Sequence, residues 1–171
     1  SYALMMRKKE DSDGPFEDVL SGDFVPTDGA SKSVGTMVLN FDNASSLDQT
    51  ILASGVVAFD YDTASAGKTI AVEFTDFQDE HMDLPISATY SYNLEADQSG
   101  EYGFSVLADV HQDNPDFQHL TLNETLSYHI RWQADGKGRA DVLVTGGDLP
   151  TVVPPMAQWT LSECSDEFFN R

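Results

Sequence analysis

The chain has 171 residues, 40% of them hydrophobic, and 29 acidic residues stand against nine basic ones for a formal net charge of −20. That length suits one domain with a sizeable core, and that apolar share excludes a disordered composition. The negative field repels phosphate backbones and anionic lipid surfaces, so nucleic acid and membrane-surface partners are disfavoured.

At the N-terminus the apolar run Tyr2-Ala3-Leu4-Met5-Met6 precedes Arg7-Lys8-Lys9. A signal peptide has the opposite order, charge before apolar run, and the run is too short to span a membrane. The expected organisation is a single acidic β domain over 1–171, a segment of a longer exported precursor. Tyr2 to Lys8 and Val19 to Val25 are predicted strands on either side of a Ser12-Asp13-Gly14-Pro15 turn. Thr36 to Phe41 follows, with Met37, Leu39 and Phe41 on one face. Gly55 to Tyr61 aligns Val57, Phe59 and Tyr61, and Lys68 to Phe74 aligns Ile70, Val72 and Phe74.

An acidic loop, Asp76 to Asp83, leads to Pro85–Leu94, which places Ile86, Ala88, Tyr90, Tyr92 and Leu94 on one side. The Ala96–Gly100 turn then gives Tyr102, Phe104, Val106 and Ala108, before a second polar loop from Asp109 to His119. Glu124 to Ala134 alternates most clearly, with Leu126, Tyr128, Ile130 and Trp132 inward. Asp135-Gly136 is a tight-turn signal, and Arg139 to Thr145 completes a predicted hairpin. Ala157, Trp159 and Leu161 form a last alternating set.

Period-two alternation dominates, and helical periodicity is nearly absent. The predicted fold is therefore all-β: an antiparallel meander of about eight to ten strands, because short connections force antiparallel pairing. One face of each strand meets a core and the other meets water. The meander is expected to form a sandwich, barrel or half-barrel.

The order of short motifs carries a resemblance. Gly14-Pro15-Phe16-Glu17-Asp18-Val19-Leu20-Ser21-Gly22 comes first, then Leu39-Asn40-Phe41-Asp42, Phe59-Asp60-Tyr61-Asp62 and Glu73-Phe74-Thr75-Asp76-Phe77. Arg131-Trp132-Gln133-Ala134-Asp135-Gly136, Gly146-Gly147-Asp148-Leu149 and Ser162-Glu163-Cys164-Ser165-Asp166 follow. Over most of its length the chain resembles a group of uncharacterised secreted or lipid-anchored β-rich proteins of myxobacteria and related bacteria. The resemblance implies an exported, lipoprotein-like β protein without an assigned activity. It places any lipid-anchor cysteine upstream, so Cys164 is not that anchor. The group has Trp after this Cys, and Ser165 stands there instead.

The sequence holds no strong catalytic signature. Its single cysteine, Cys164, cannot form a disulfide within the chain, and its acidic neighbours Glu163 and Asp166 disfavour the thiolate. A Gly-x-Ser-x-Gly elbow is absent. Ser65-Ala66-Gly67-Lys68-Thr69 matches only the tail of a phosphate loop and reads as a hairpin turn. Among so many carboxylates no catalytic pair stands out.

A divalent ion has two candidate places. His111, Asp113, Asp116 and His119 offer the imidazole and carboxylate ligands that suit zinc-like ions, although an exposed polar loop explains them equally well. Asp60, Asp62 and Thr63, or Asp42, Asn43 and Asp48, could supply part of a calcium shell; Asp-rich hairpin turns are the alternative. His129, beside Arg131 on a polar face, is expected to make a solvated cross-strand pair.

No catalytic residue and no cofactor, apart from such a cation, is expected. The function expected from sequence is an extracytoplasmic structural or binding module. A carrier of an apolar ligand in a barrel hollow and a hydrolase with a carboxylate pair are the alternatives.

Overall fold

The computed structural model describes residues 1–27, 32–82, 84–109, 122–147 and 158–166. Their strands are β1 (Tyr2–Met6), β2 (Glu17–Pro26), β3 (Ser33–Asn40), β4 (Ser54–Asp62), β5 (Lys68–Gln78), β6 (Ile86–Leu94), β7 (Gly100–Ala108), β8 (Glu124–Trp132), β9 (Gly138–Gly146) and β10 (Gln158–Ser165). Among the described residues a single short helix, α1 (Phe41–Leu47), lies between β3 and β4. Strand order is chain order from β1 to β10, so the fold is the antiparallel meander that the alternation predicts. Among the described residues no β1–β10 ladder closes the meander into a barrel. The chain divides into two compact units, Ser1–Ser87 and Ala88–Arg171.

In the first unit, register explains the apolar face. Directly opposed residues of an antiparallel pair share one side of a sheet. Leu4, Leu20, Leu39, Val57 and Phe74 form one such row across β1 to β5. Tyr2, Gly22, Met37, Phe59 and Val72 form the next. The other face carries rows such as Asp23, Thr36, Asp60 and Ala71. Val57, on β4 between Leu39 and Phe74, keeps only 4% exposure. Two glycines of this face, Gly22 and Gly35, lie under aromatic rings. Tyr61 leans over Gly35, where an added Cβ would stand 2.7 Å from the ring's Cζ. Tyr2 covers Gly22 in the same way and donates its hydroxyl to Thr36 O at 3.0 Å. An aromatic ring laid over a cross-strand glycine restores the missing side-chain packing.

Two irregularities bend this sheet. Register steps between Leu4 and Met5, leaving Val19 as the extra, buried residue of β2. A second step between Ser54 and Val56 sets one residue, Gly55, against Asp76 and Phe77. Both Gly55 and Asp76 take positive φ there, 86° and 47°. Such an inserted residue is a β-bulge. It carries β5 on to Gln78, through part of the segment predicted as a loop.

The helix α1 corrects the prediction that Phe41 ends a strand. Asn40 caps it, its side chain accepting from Asn43 N at 2.9 Å. Seven residues rich in Asn, Asp and Ser give too short a helix to show periodicity. Phe41 packs edge-on to Phe77 at 5.4 Å, and Phe77 to Phe74 at 5.8 Å. That cluster ties α1 to the apolar face.

The second unit repeats the plan. Val106, Leu126, Val144 and Trp159 make one apolar row; Phe104, Tyr128, Val142 and Leu161 make the next. The sets predicted for β7 and β8 thus share one face with Ala140, Val142 and Val144 of β9. Tyr90 of β6 meets Tyr102 edge-on at 5.1 Å. The β8–β9 hairpin forms around Asp135-Gly136 as predicted, with β8 ending at Trp132. Ala157 and the His111–His119 segment lie outside the described residues.

Candidate functional site: a trough at the end of β8, β9 and β10

Toward the β8–β9 turn the apolar rows of the second unit thin out. The row Tyr102, Ile130, Ala140, Glu163 is followed by Gly100, Trp132, Gly138, Ser165. One indole therefore stands between two glycines. Trp132 leans toward β7 over Gly100, whose added Cβ would be 2.5 Å from the ring. It stacks at a tilt near Tyr92 at 5.9 Å, and its Nε1–H donates to Gln98 O at 2.9 Å. These contacts fix the ring and draw it off Gly138. Above Gly138 a Cβ would meet nothing closer than Arg131 O at 3.0 Å and Ser165 Oγ at 3.5 Å. What remains is a trough of about 460 Å³ lined by Ile130, Trp132, Gly138, Ala140 and Glu163 among others. That volume is in the range of small-molecule sites.

A second hollow of about 530 Å³ lies against the same strands and has Arg131, Trp132, Gly138, Arg139, Cys164 and Ser165 in common with it; by register Arg131, Arg139 and Cys164 belong to the opposite face of the sheet from Trp132. Its other lining residues include Gln133 and Lys137. Arg131 and Arg139 are directly opposed on β8 and β9, a like-charge pairing that costs free energy. Asp141 offsets it. Its two carboxylate oxygens accept from Arg139 Nε at 2.8 and 2.9 Å, and Oδ2 accepts from Arg131 Nη2 at 3.2 Å. Ser162 donates to Asp141 Oδ1 at 2.5 Å. The Arg139 bonds first, and then that of Ser162, hold the Asp141 carboxyl far below the usual carboxylate range, and the same carboxylate raises Arg139.

His129, Asp141 and Ser162 form one row across β8, β9 and β10. Nucleophilic catalysis needs the base between hydroxyl and carboxylate. Here the carboxylate is in the middle and takes the serine proton donor itself, while His129 Nε2 pairs with Glu101 Oε2 at 3.2 Å. The cross-strand pairing expected for His129 is present, with Glu101 as its partner.

The candidate calcium residues have other partners. Asp62 accepts from Ala64 N, Ser65 N and Ser65 Oγ, closing the turn after β4, while Asp60 lies exposed on β4. Asp42 accepts from Gly55 N, Asn43 donates to Asp18 O, and Asp48 accepts from Thr50. The structure does not bring the last three to one point. Among the described residues no three His, Cys, Asp or Glu side chains gather as a metal site. His111, Asp113, Asp116 and His119 lie outside them.

One turn device recurs: a carboxylate accepting the N–H two residues on, at Asp48, Asp62, Asp79, Asp97 and Asp135. Hydroxyl, ammonium and amide donors hold Asp48, Asp62, Asp97 and Asp135 below their usual 3.8. A depressed native pKa means that the unfolded chain binds more protons around that value. This contribution to stability is thus present above the unfolded pKa and is lost as pH falls through the native ones. The melting midpoint is expected to drop on acidification below about pH 4, and to drop less in Asp62→Asn/Asp97→Asn. Equal pH slopes in the two proteins would remove these turns as the cause.

Comparison with protein-family models, with curated proteins and with solved structures finds no match. Among the described residues no helix is long and apolar enough to cross a membrane.

Sequence reading placed Trp132 in the core and missed its trough. The signal available was two glycines, Gly100 and Gly138, at the hairpin ends facing the same tryptophan.

Proposed function

We propose that this chain is an extracytoplasmic binding module without catalytic activity, and that the Trp132 trough is where it holds an organic ligand. The observation that carries the reading is the row Gly100, Trp132, Gly138, Ser165, which leaves a fixed indole beside an open floor. Ligand sites are concave and mostly apolar, with a few polar groups at the margin, and this trough has that character. The acidic composition and the resemblance to exported β-rich proteins support a place outside the cytoplasm.

The ligand here lies on a sheet face, not in a barrel hollow. The test is titration with the neutral apolar dye N-phenyl-1-naphthylamine. A saturable fluorescence rise is expected, and Gly138→Leu, which fills the floor, should abolish it while the variant still unfolds cooperatively, with a small drop in melting midpoint from the 3.0 Å approach of its Cβ to Arg131 O. An absent rise, or an unchanged one in the variant, contradicts the reading.

A further inference from the structure

We propose that the ligand of the Trp132 trough is an organic ammonium ion, its apolar body along Ile130, Trp132 and Ala140 and its cationic head at Glu163. The inference rests on the trough being a binding site.

Alternate residues of a strand point to opposite faces of its sheet. Ile130, Ala140 and Glu163 belong to one cross-strand row, and Trp132, Gly138 and Ser165 to the next, all on one face. Arg131, Arg139 and Cys164 occupy the intervening positions, so their side chains belong to the other face. Among the described strand residues that line the trough on its own face, Glu163 is therefore the one with a charged side chain. It stands on β10 and is exposed to solvent. A carboxylate has two oxygens with about four lone-pair sites. A bond that Glu163 makes within the protein still leaves room for a cationic head.

Three features favour a cation here over a neutral or anionic head. Glu163 attracts an ammonium and repels an oxyanion at close range. Tryptophan is the side chain whose ring attracts cations best, and Trp132 is already fixed by its bond to Gln98 O at 2.9 Å and by Tyr92 at 5.9 Å. The net charge of −20 raises the concentration of cations at the surface and speeds their arrival. The apolar body is needed as well. An exposed ion pair alone contributes little, and burial against Ile130, Ala140 and the indole supplies the rest.

The experiment is calorimetric titration of the whole chain with decyltrimethylammonium, 1-decanol and decanoate, each below its aggregation threshold. Decyltrimethylammonium is expected to bind tightest and decanoate weakest, and Gly138→Leu should abolish the binding. Glu163→Gln should weaken the cation by about fivefold, the scale of one exposed ion pair, and leave 1-decanol unchanged. Glu163→Lys, at the same exposed position, is the second variant and should place decanoate above the cation. Equal affinity for decyltrimethylammonium and 1-decanol, or a cation affinity that Glu163→Gln leaves unchanged, overturns the ammonium head; saturable binding of N-phenyl-1-naphthylamine then still keeps the trough. Tighter binding of decanoate to the unaltered chain also overturns it. No saturable binding of any of the three overturns the ammonium ligand and, with a negative dye titration, the binding site itself.

Discussion

Gly55→Ala is expected to lower the unfolding free energy by about 3 kcal/mol. Two costs add. Gly55 has φ of 86°, a region that side-chain-bearing residues enter only with strain. An added Cβ would also stand 2.6 Å from Thr75 O and from the carbonyl carbon of Asp76. Those atoms belong to the backbone of the β5 bulge and cannot rotate away. Gly55 N further donates to Asp42 Oδ1 at 2.7 Å, so any shift also loosens α1. Gly146→Ala separates the two costs. Its φ of 81° is similar, but nothing lies within 4 Å of its added Cβ, so about 1 kcal/mol is expected. Urea unfolding of both variants checks this, and equal losses would refute the steric part.

Phe77→Ala is expected to cost about 2–3 kcal/mol. Phe77 is half-buried and joins Phe41 to Phe74. Removing it takes away one apolar partner of α1, beside its packing on β2 and β4, and the helix's seven residues are too few to hold it unaided. Amide exchange in Ala44 to Leu47 should therefore accelerate more than the global loss requires. A loss under about 1 kcal/mol, or exchange that follows global unfolding alone, would show that α1 is held by its Asn40 cap and not by the ring cluster.

The alternation from Leu126 to Trp132 was enough to place β8, and Asp135-Gly136 enough to place its hairpin, because side-chain period and turn chemistry are local properties. The helix was not legible: Asp42, Asn43, Ser45 and Ser46 favour turns as readily as helix, and what it packs against, β2, β4 and the Phe77 ring, is distant in sequence. The bulges were hidden for the same reason. A residue such as Val19 is extra only relative to its partner strand.

The site was the least legible part. Gly100, Trp132, Gly138 and Ser165 mean little separately, and only the register of four strands puts them in one row. Asp141 looked like one carboxylate among twenty-nine; its place between two arginines and a serine is again a matter of register. The turn aspartates were legible as turn formers, and Asp62 closes the turn that its sequence suggests.

The end of β8, β9 and β10 is proposed to bind an organic ligand in the Trp132 trough. An amide nitrogen–proton correlation map recorded during addition of N-phenyl-1-naphthylamine tests this most directly. The account predicts saturable shifts concentrated at Ile130 to Ala140 and Glu163 to Ser165, with the Trp132 indole N–H among the largest. Shifts centred on another part of the chain, or none that saturate, would contradict it.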